Sequence, residues 1–225
     1  MSAMQYTLPP WTSVLAVVAH PDDESFGLGA VLSSFVESGS TANILCFTHG
    51  EASTLHHVQG DLAAVRELEL ELAARQLGLA QVRLLTYPDG ALAQEDQALL
   101  QAEISTAVRD FAADGLLVFD PSGVTSHPDH QAATAAAMLV GEQQHLGVLG
   151  WTLPASVACA LRQEFDAPFV GHELEDMDIT LKVDRAAQLK AVQCHPSQAV
   201  PSSALWKRLE LMGNTESLRW LVQPN

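Results

Sequence analysis

The tripeptide His-Pro-Asp occurs twice in the chain, and each copy follows a short apolar run. The first copy contains His20 and Asp22 and is followed by Asp23, and the second contains His127 and is followed by His130. Both apolar runs are predicted strands of a parallel sheet, and ligands bind beyond the carboxyl ends of such strands. Residues three apart at a helix start face the same way, which pairs His20 with Asp23 and His127 with His130. We therefore expect these side chains to meet in one crevice.

Two imidazoles and one carboxylate indicate a catalytic zinc site, because structural zinc sites are closed by four protein ligands. We assign His20, Asp23 and His130 to the metal, which leaves Asp22 and His127 beside it. A carboxylate in that position can accept a proton from water, and an imidazole can stabilise charge that develops on a carbonyl. Nitrogen and oxygen ligands also suit Fe²⁺, Mn²⁺ or Co²⁺. An acidic residue after proline is also an ordinary helix start, but two copies after two strands favour the metal site.

The elements that must position these residues alternate along the chain, as is typical of a parallel sheet covered by helices. Strands are predicted over 14–19, 42–48, 82–86 and 116–119, and near 155–160 and 179–183. Helices are predicted over 24–37, 61–77, 95–113, 184–193 and 203–212, with one more after Pro128. The 225 residues, 48% of them hydrophobic, suit one domain. The fold class is α/β, a single-domain Rossmann-like three-layer fold with a mostly parallel sheet over residues 1–225.

The clearest predicted helix covers residues 61–77. Asp61 is a suitable N-cap, and the helix is expected to stop at Gly78. Its apolar positions are expected to face the sheet, and they are Leu62, Val65, Leu68 and Leu72. The polar segment 49–60 before this helix is long for a connection in an α/β fold, so it either covers a site or is a surface insertion.

The composition excludes several classes of partner. With 27 acidic against 11 basic residues, the chain carries a formal charge of −16 at pH 7. This charge repels phosphate backbones and anionic lipid headgroups, so neither nucleic acid nor a membrane is an expected partner. The cysteines Cys46, Cys159 and Cys194 form no CxxC pair, so the metal must be held by His and carboxylates. The first residues lack the features of a signal peptide, and we expect a cytoplasmic protein.

Taken in order, the motifs of the chain resemble those of the PIG-L/LmbE-like zinc-dependent N-deacetylases, which remove acetyl groups from N-acetylglucosamine-containing conjugates. The resemblance covers roughly residues 14–198. Its strongest parts are AHPDDE at 19–24 and HPDH at 127–130. The weaker parts are Arg66-x-x-Glu69, Asp89-Gly90 and His195-x-Ser197-Gln198.

The resemblance implies a role for each residue that matches a motif. It implies zinc at His20, Asp23 and His130, and Asp22 as the general base. It further implies that His127 polarises the carbonyl or stabilises the oxyanion, and that Asp129 orients or tunes His127.

Two further positions resemble those that contact the sugar in family members, Arg66 and Asp89. A different interpretation of Arg66 is a solvated helix residue that pairs with Glu67 or Glu69. Asp89-Gly90 could equally form an ordinary turn. Contact with the sugar is therefore an expectation at both positions.

Other functions fit the sequence less well. A dinucleotide-binding loop is not expected, because Leu32 stands where the third glycine of that motif belongs. A metal-dependent amidase of a thiol conjugate stays open, as does a non-catalytic metal-binding or sugar-binding protein on the same scaffold. The expected partner is a small-molecule N-acetylated sugar conjugate, and a homo-oligomer is compatible with the sequence.

Overall fold

In the computed structural model, which describes residues 6–55 and 60–224, seven strands form one sheet. They are β1 Ser13–Val18, β2 Thr41–Thr48, β3 Gln81–Tyr87, β4 Gly115–Phe119, β5 Gly147–Thr152, β6 Ile179–Lys182 and β7 Thr215–Val222. The strand order is β3-β2-β1-β4-β5-β7-β6. Strands β1 to β5 pair in parallel, and β7 lies antiparallel between β5 and β6. The predicted α/β class with a mostly parallel sheet is confirmed.

Helices cover both faces of this sheet. They are α1 Asp23–Phe26, α2 Gly29–Glu37, α3 Leu62–Leu77, α4 Gln97–Asp110, α5 Gly123–Ser126, α6 Pro128–Gln144, α7 Ala155–Phe165, α8 Ala186–Val192 and α9 Ala204–Met212. Alternate residues of β1 point to opposite faces, as strand geometry requires. Val14 and Ala16 pack in the core that includes Phe35 of α2, whereas Leu15 packs with Ile104 of α4. This alternation produces the three layers.

The first half of the chain follows the predicted order with one break. Strands β1 to β4 and helices α3, α4 and α6 lie at the predicted places within a few residues. The predicted helix over 24–37 is instead two helices, separated by Gly27 and Leu28. Gly27 is packed against a ring, since a Cβ atom there would lie 2.3 Å from Cε1 of Phe119.

The strand that was predicted near residues 155–160 is not present there, so this prediction was wrong. These residues belong to α7, and the strand is the preceding segment β5. The buried residues Val157, Ala158 and Leu161 recur at helical spacing, which puts them on one face of α7. Strand β7 was not predicted, whereas β6 lies where a strand was expected.

Helix α3 has the predicted ends but not the predicted buried face. Asp61 Oδ1 accepts hydrogen bonds from two backbone amides, and Gly78 ends the helix with φ 73°. Leu68 and Leu72 are 61% and 47% exposed, so their expected contact with the sheet is wrong. The helix instead buries a face that combines Arg66 and Glu69 with Leu70, Ala73, Ala74 and Leu77.

The polar segment 49–60, for which a site cover and a surface insertion were both expected, lies partly outside the described residues, which omit 56–59. Within the described ranges, no helix is long and apolar enough to cross a membrane.

Candidate metal centre

The two His-Pro-Asp segments meet because their strands are neighbours. Strand β1 runs directly into Ala19 and His20, while β4 lies beside β1 in parallel and leads to α5 and α6. The chain turns sharply after β1, where Asp22 adopts φ 120°, a rare value for a residue with a side chain. Such strain is found most often at functional sites, where the surrounding structure holds the residue in place. The predicted crevice beyond the carboxyl ends of β1 and β4 is therefore present.

Three predicted ligands lie at distances that suit one shared cation. His20 Nδ1 is 3.2 Å from His130 Nε2, and that atom is 3.2 Å from Asp23 Oδ1. The other oxygen of Asp23, Oδ2, is 3.7 Å from His20 Nδ1. Two donors at about 2.0–2.1 Å from a tetrahedral zinc ion are about 3.4 Å apart. The donor set and its spacing therefore fit a zinc ion.

The carboxylate of Asp23 is prepared for such a role. Its Oδ2 accepts hydrogen bonds from the backbone amides of Ala19 and His20, at 3.1 and 2.9 Å. Burial alone would raise the pKa of Asp23, but the adjacent imidazoles of His130 and His20 hold it well below its usual range. The side chain therefore stays ionised, as a metal ligand must be.

Two further carboxylates hold the opposite edge of the His20 ring. His20 Nε2 lies 3.0 Å from Asp89 Oδ1 and 3.4 Å from Asp129 Oδ2. A neutral His20 therefore carries its proton on Nε2 and leaves the Nδ1 lone pair free for a metal. Burial lowers the pKa of His20, but the hydrogen bonds with Asp129 and Asp89 outweigh it and raise the pKa to about 10. In the absence of metal, His20 is consequently protonated.

Among the residues that the structure describes, two groups of side chains have ligand atoms close enough together to hold one metal ion: His20 with His127 and His130, and His20 with Asp89 and Asp129. The second group includes two carboxylates. Their oxygens already have partners, however. Asp129 accepts from the amides of Gly90 at 2.7 Å and Leu92 at 3.1 Å, and Asp89 Oδ2 accepts from another backbone amide. The Nε2 side of His20 is therefore already hydrogen-bonded, whereas its Nδ1 side faces the less occupied ligand atoms of Asp23 and His130.

Asp129, which was expected to orient or tune His127, contacts that ring through its backbone and contacts His20 through its carboxylate. The backbone N–H of Asp129 donates to His127 Nδ1, at 3.3 Å. His127 is the N-cap of α6, and its side chain accepts a hydrogen bond from a backbone amide in the first turn of that helix. Because Nδ1 accepts this bond, a neutral His127 carries its proton on Nε2. Burial and the charges of His130 and His20 lower the pKa of His127, which favours that neutral form.

Asp22 is paired with a buried arginine. Its Oδ2 lies 3.1 Å from Nη2 of Arg66, which is 3% exposed. Burial raises the pKa of Asp22 to about 6, against the opposing effect of Arg66. Arg66 also donates to the carbonyl of Gly50 at 2.6 Å and to that of Pro21. The alternative interpretation of Arg66, a solvated residue paired with Glu67 or Glu69, is therefore wrong.

A polar cavity of about 420 Å³ opens above these groups. Arg66, Asp89 and His127 line it together with the three candidate ligands and Asp22. Ser53 and Gln198 also line it and are joined by a 2.8 Å hydrogen bond from the serine hydroxyl. A cavity of about 580 Å³ lies elsewhere, beside the residues that precede β1 and β2, and contains none of the candidate ligands.

Sequence reasoning missed a buried cluster beneath Asp22. Glu24 Oε2 accepts from the backbone N–H of Asp22 at 2.9 Å, and its Oε1 lies 2.7 Å from His195 Nε2. The hydroxyl of Ser25 donates to the same Oε1 at 2.5 Å. Both side chains of the Glu24–His195 pair are fully buried. The only signal in the sequence was the match of Glu24 and His195 to two motifs of the resemblance.

The chain is similar in sequence to proteins of known family. The family model described as PIG-L, GlcNAc-PI de-N-acetylase, matches residues 15–140. A relative from Kineococcus radiotolerans, named 1D-myo-inositol 2-acetamido-2-deoxy-alpha-D-glucopyranoside deacetylase, is 31% identical over 64% of this chain and 50% of its own length. A probable N-acetyl-alpha-D-glucosaminyl L-malate deacetylase 2 from Bacillus anthracis is 27% identical over 92% of this chain and 91% of its own. The chain thus spans half the length of the first of these relatives and nearly all of the second.

Solved structures share the fold. The N,N'-diacetylchitobiose deacetylase from Pyrococcus horikoshii superposes with a TM-score of 0.69, at 22% identity over 96% of this chain and 85% of that one. At this identity the likeness establishes the architecture alone.

Proposed function

The chain belongs to the PIG-L family, and from that premise we propose that it is a metal-dependent hydrolase that removes the N-acetyl group from a small-molecule N-acetylglucosamine conjugate. The observation that carries this proposal is the meeting of three ligand-spaced side chains, His20, Asp23 and His130, with Asp22 and His127 at the same cavity. A site that only bound a metal would have no need of the last two. The net charge of −16 is unfavourable for an anionic polymer as the substrate.

The resident metal that fits best is zinc, held by His20, Asp23 and His130, with Fe²⁺ as a further ion that accepts the same ligand types. When bound, such an ion polarises a carbonyl and lowers the pKa of water. Asp89 and Asp129 support it by fixing the His20 ring, as carboxylates behind metal-ligating histidines do.

Asp22 is the proposed general base. A pKa of about 6 keeps most of its side chain ionised near neutral pH while it remains basic enough to accept a proton from the attacking water. The same carboxyl group can then return that proton to the nitrogen as the amide bond breaks. Arg66 holds Asp22 in position through the 3.1 Å ion pair. The products are acetate and a free amine.

His127 is proposed to stabilise the oxyanion. Because its Nδ1 accepts from the backbone of Asp129, the Nε2–H of the neutral ring is available to donate to the carbonyl oxygen as charge develops there. Arg66 and Asp89 line the cavity that would hold the sugar. Their contacts with Asp22 and His20 mean that any contact with the sugar would be additional to a supporting role.

The test is amine release from a panel of N-acetylglucosaminides by zinc-loaded protein, with Asp22→Asn as the matched variant. We expect amine from the wild type, loss of most turnover in Asp22→Asn, and equal zinc content in both. Full activity in the variant would remove Asp22 from the role of base. Absence of amine from every compound at one equivalent of zinc would contradict the proposed function.

A further inference from the structure

A second cavity adjoins the candidate metal centre. It has a volume of about 220 Å³ and shares Asp22, Asp23 and His130 with the polar cavity as lining residues. Arg66 and Asp89, which line the polar cavity, do not line this one. The reacting groups therefore stand between two cavities that differ in their remaining walls.

The walls of this second cavity are aromatic and aliphatic. Phe119, Trp151 and Phe169 line it and are only 5%, 3% and 8% exposed. The other apolar side chains of the lining are Phe26, Val124, Ala204 and Leu205. The ring centroid of Phe119 lies 5.4 Å from that of Trp151 and 4.8 Å from that of His130. The apolar wall thus extends without interruption to one of the candidate ligands.

One arginine lies in this lining, Arg208, and contacts within the fold hold its guanidinium; its partner Glu216 is shared with Arg185. Arg208 Nη1 lies 3.2 Å from Glu216 Oε1, its Nη2 donates to the carbonyl of Phe26, and its guanidinium lies 5.0 Å from the centroid of the Trp151 ring. These contacts occupy Arg208 and leave little capacity to recognise an anion. The aromatic and aliphatic side chains that make up most of the lining favour an aliphatic group.

We infer that this cavity receives the acyl chain of the substrate, and that the enzyme accepts acyl groups longer than acetyl. The inference rests on the proposed function and names the acid part of its substrate. A secondary amide is planar and trans, so its acyl chain and its nitrogen substituent leave the reacting carbon in opposite directions. With the sugar in the polar cavity beside Arg66 and Asp89, the acyl chain is directed toward the apolar one.

The volume sets the length of chain. At about 30 Å³ for each water-sized group, 220 Å³ holds roughly seven such groups. An acetyl methyl would fill about one of them and leave the aromatic walls without contact. An aliphatic chain of about four to eight carbons fits the space.

Hydrolysis of a longer acyl amide makes and breaks the same bonds as hydrolysis of the acetyl amide. The water oxygen forms a bond to the acyl carbon, the bond between that carbon and nitrogen breaks, and the nitrogen takes a proton. The products are an alkanoate in place of acetate, and the same free amine.

The test is a series of N-acyl glucosamines, N-acetyl, N-butanoyl and N-hexanoyl, compared by kcat/KM with zinc-loaded protein. Burial of each added methylene is worth about fourfold, so we expect kcat/KM to rise about 15-fold from acetyl to butanoyl and further for hexanoyl. Turnover of the acetyl compound with slower turnover of the longer ones would overturn the inference and leave the proposed function intact. No amine from any of the three would overturn both.

A variant that fills the cavity tests its location. Ala204 lines the cavity at the first turn of α9 and is partly exposed, so Ala204→Phe can place a ring in the space. We expect the ratio of hexanoyl to acetyl kcat/KM to fall at least tenfold, while Ala98→Phe, on the exposed side of α4, leaves that ratio unchanged. An equal ratio in Ala204→Phe and Ala98→Phe would contradict the inference.

A binding measurement gives a readout that does not depend on turnover. Saturation-transfer NMR on hexanoate should give strong transfer to its terminal methyl, reduced in Ala204→Phe and retained in Ala98→Phe. Transfer that is identical in the two variants would show that the chain binds elsewhere and would overturn the inference.

Discussion

Replacement of Arg66 by methionine should shift the pH dependence of the enzyme. The guanidinium of Arg66 lies 3.1 Å from the carboxylate of Asp22 and opposes the rise in the Asp22 pKa that burial causes. Methionine keeps much of the length of the side chain and removes the charge. The pKa of Asp22 must then rise above its value of about 6, and less of the proposed base is ionised at neutral pH.

The size of this effect follows from the separation. Two unit charges about 4 Å apart interact by about 4 kcal/mol at an effective dielectric constant of about 20, which corresponds to about three pKa units. Opposite charges at this range commonly shift a carboxyl pKa by about one to three units. In the pH profile of kcat/KM, the acid limb is the rise in rate as Asp22 loses its proton. We therefore expect this acid limb to move to higher pH by about one to three units. A shift of two units would reduce the ionised fraction at pH 7 by about tenfold.

The assay is the pH profile of kcat/KM for amine release, from pH 5 to 10, in Arg66→Met and wild type. The matched control is Arg83→Met, which removes a surface arginine that pairs with Asp110 at 2.7 Å and should leave the acid limb in place. Thermal unfolding of each variant checks that the fold is retained. A raised KM at every pH with an unmoved limb would refute this account and assign Arg66 to substrate contact alone.

The metal site yields three further predictions. His130→Ala should lose bound zinc by elemental analysis, whereas Gln131→Ala, one residue away on the same helix, should keep it; full zinc content in His130→Ala would exclude that ligand. Asp129→Asn should weaken zinc binding by about 10- to 100-fold in competition with a chelator, because the His20 ring loses a charged partner; unchanged affinity would remove Asp129 from the supporting network. Because the pKa of His20 is raised to about 10 without metal, zinc must displace the proton of this ring, and zinc affinity should fall as the pH falls through the neutral range. Calorimetry of zinc binding in buffers of different ionisation enthalpy should detect the released proton. Zinc binding without proton release would contradict the raised pKa of His20.

Local patterns were enough to predict that the candidate ligands lie close together. Proline at the first turn of α6 and the spacing of three between His127 and His130 are short-range features, and they hold in the structure. Two parallel neighbouring strands then bring His20 and His130 together. This step needed only the alternation of strands and helices, which a single sequence displays clearly.

The supporting contacts could not be predicted, because they join segments that are distant in the chain. The Asp129 carboxylate could have oriented the histidine two residues before it, but its neighbour in space is His20, 109 residues away. The Glu24–His195 pair joins positions 171 residues apart. The hydrophobic periodicity of a single helix or strand does not indicate which distant residue its side chains will contact.

The errors in secondary structure have a similar cause. The apolar pattern of α3 predicted that Leu68 and Leu72 would be buried, yet the helix turns Arg66 and Glu69 inward, where Arg66 meets Asp22 and Glu69 accepts from Ser197 at 2.9 Å. The same buried face carries Leu70, Ala73, Ala74 and Leu77, so the prediction chose the wrong one of two apolar stripes on the helix. At β7 the strand pairs antiparallel with β5, which an expected succession of parallel units does not indicate.

The most direct test of the metal centre is anomalous diffraction at the zinc edge from crystals of the zinc-loaded protein. We expect one strong peak about 2.0–2.2 Å from His20 Nδ1, His130 Nε2 and an oxygen of Asp23. A peak on the opposite edge of the same ring, between Asp89 and Asp129, would contradict the assignment of ligands. The absence of any ordered peak near His20 at full zinc loading would contradict the account as a whole.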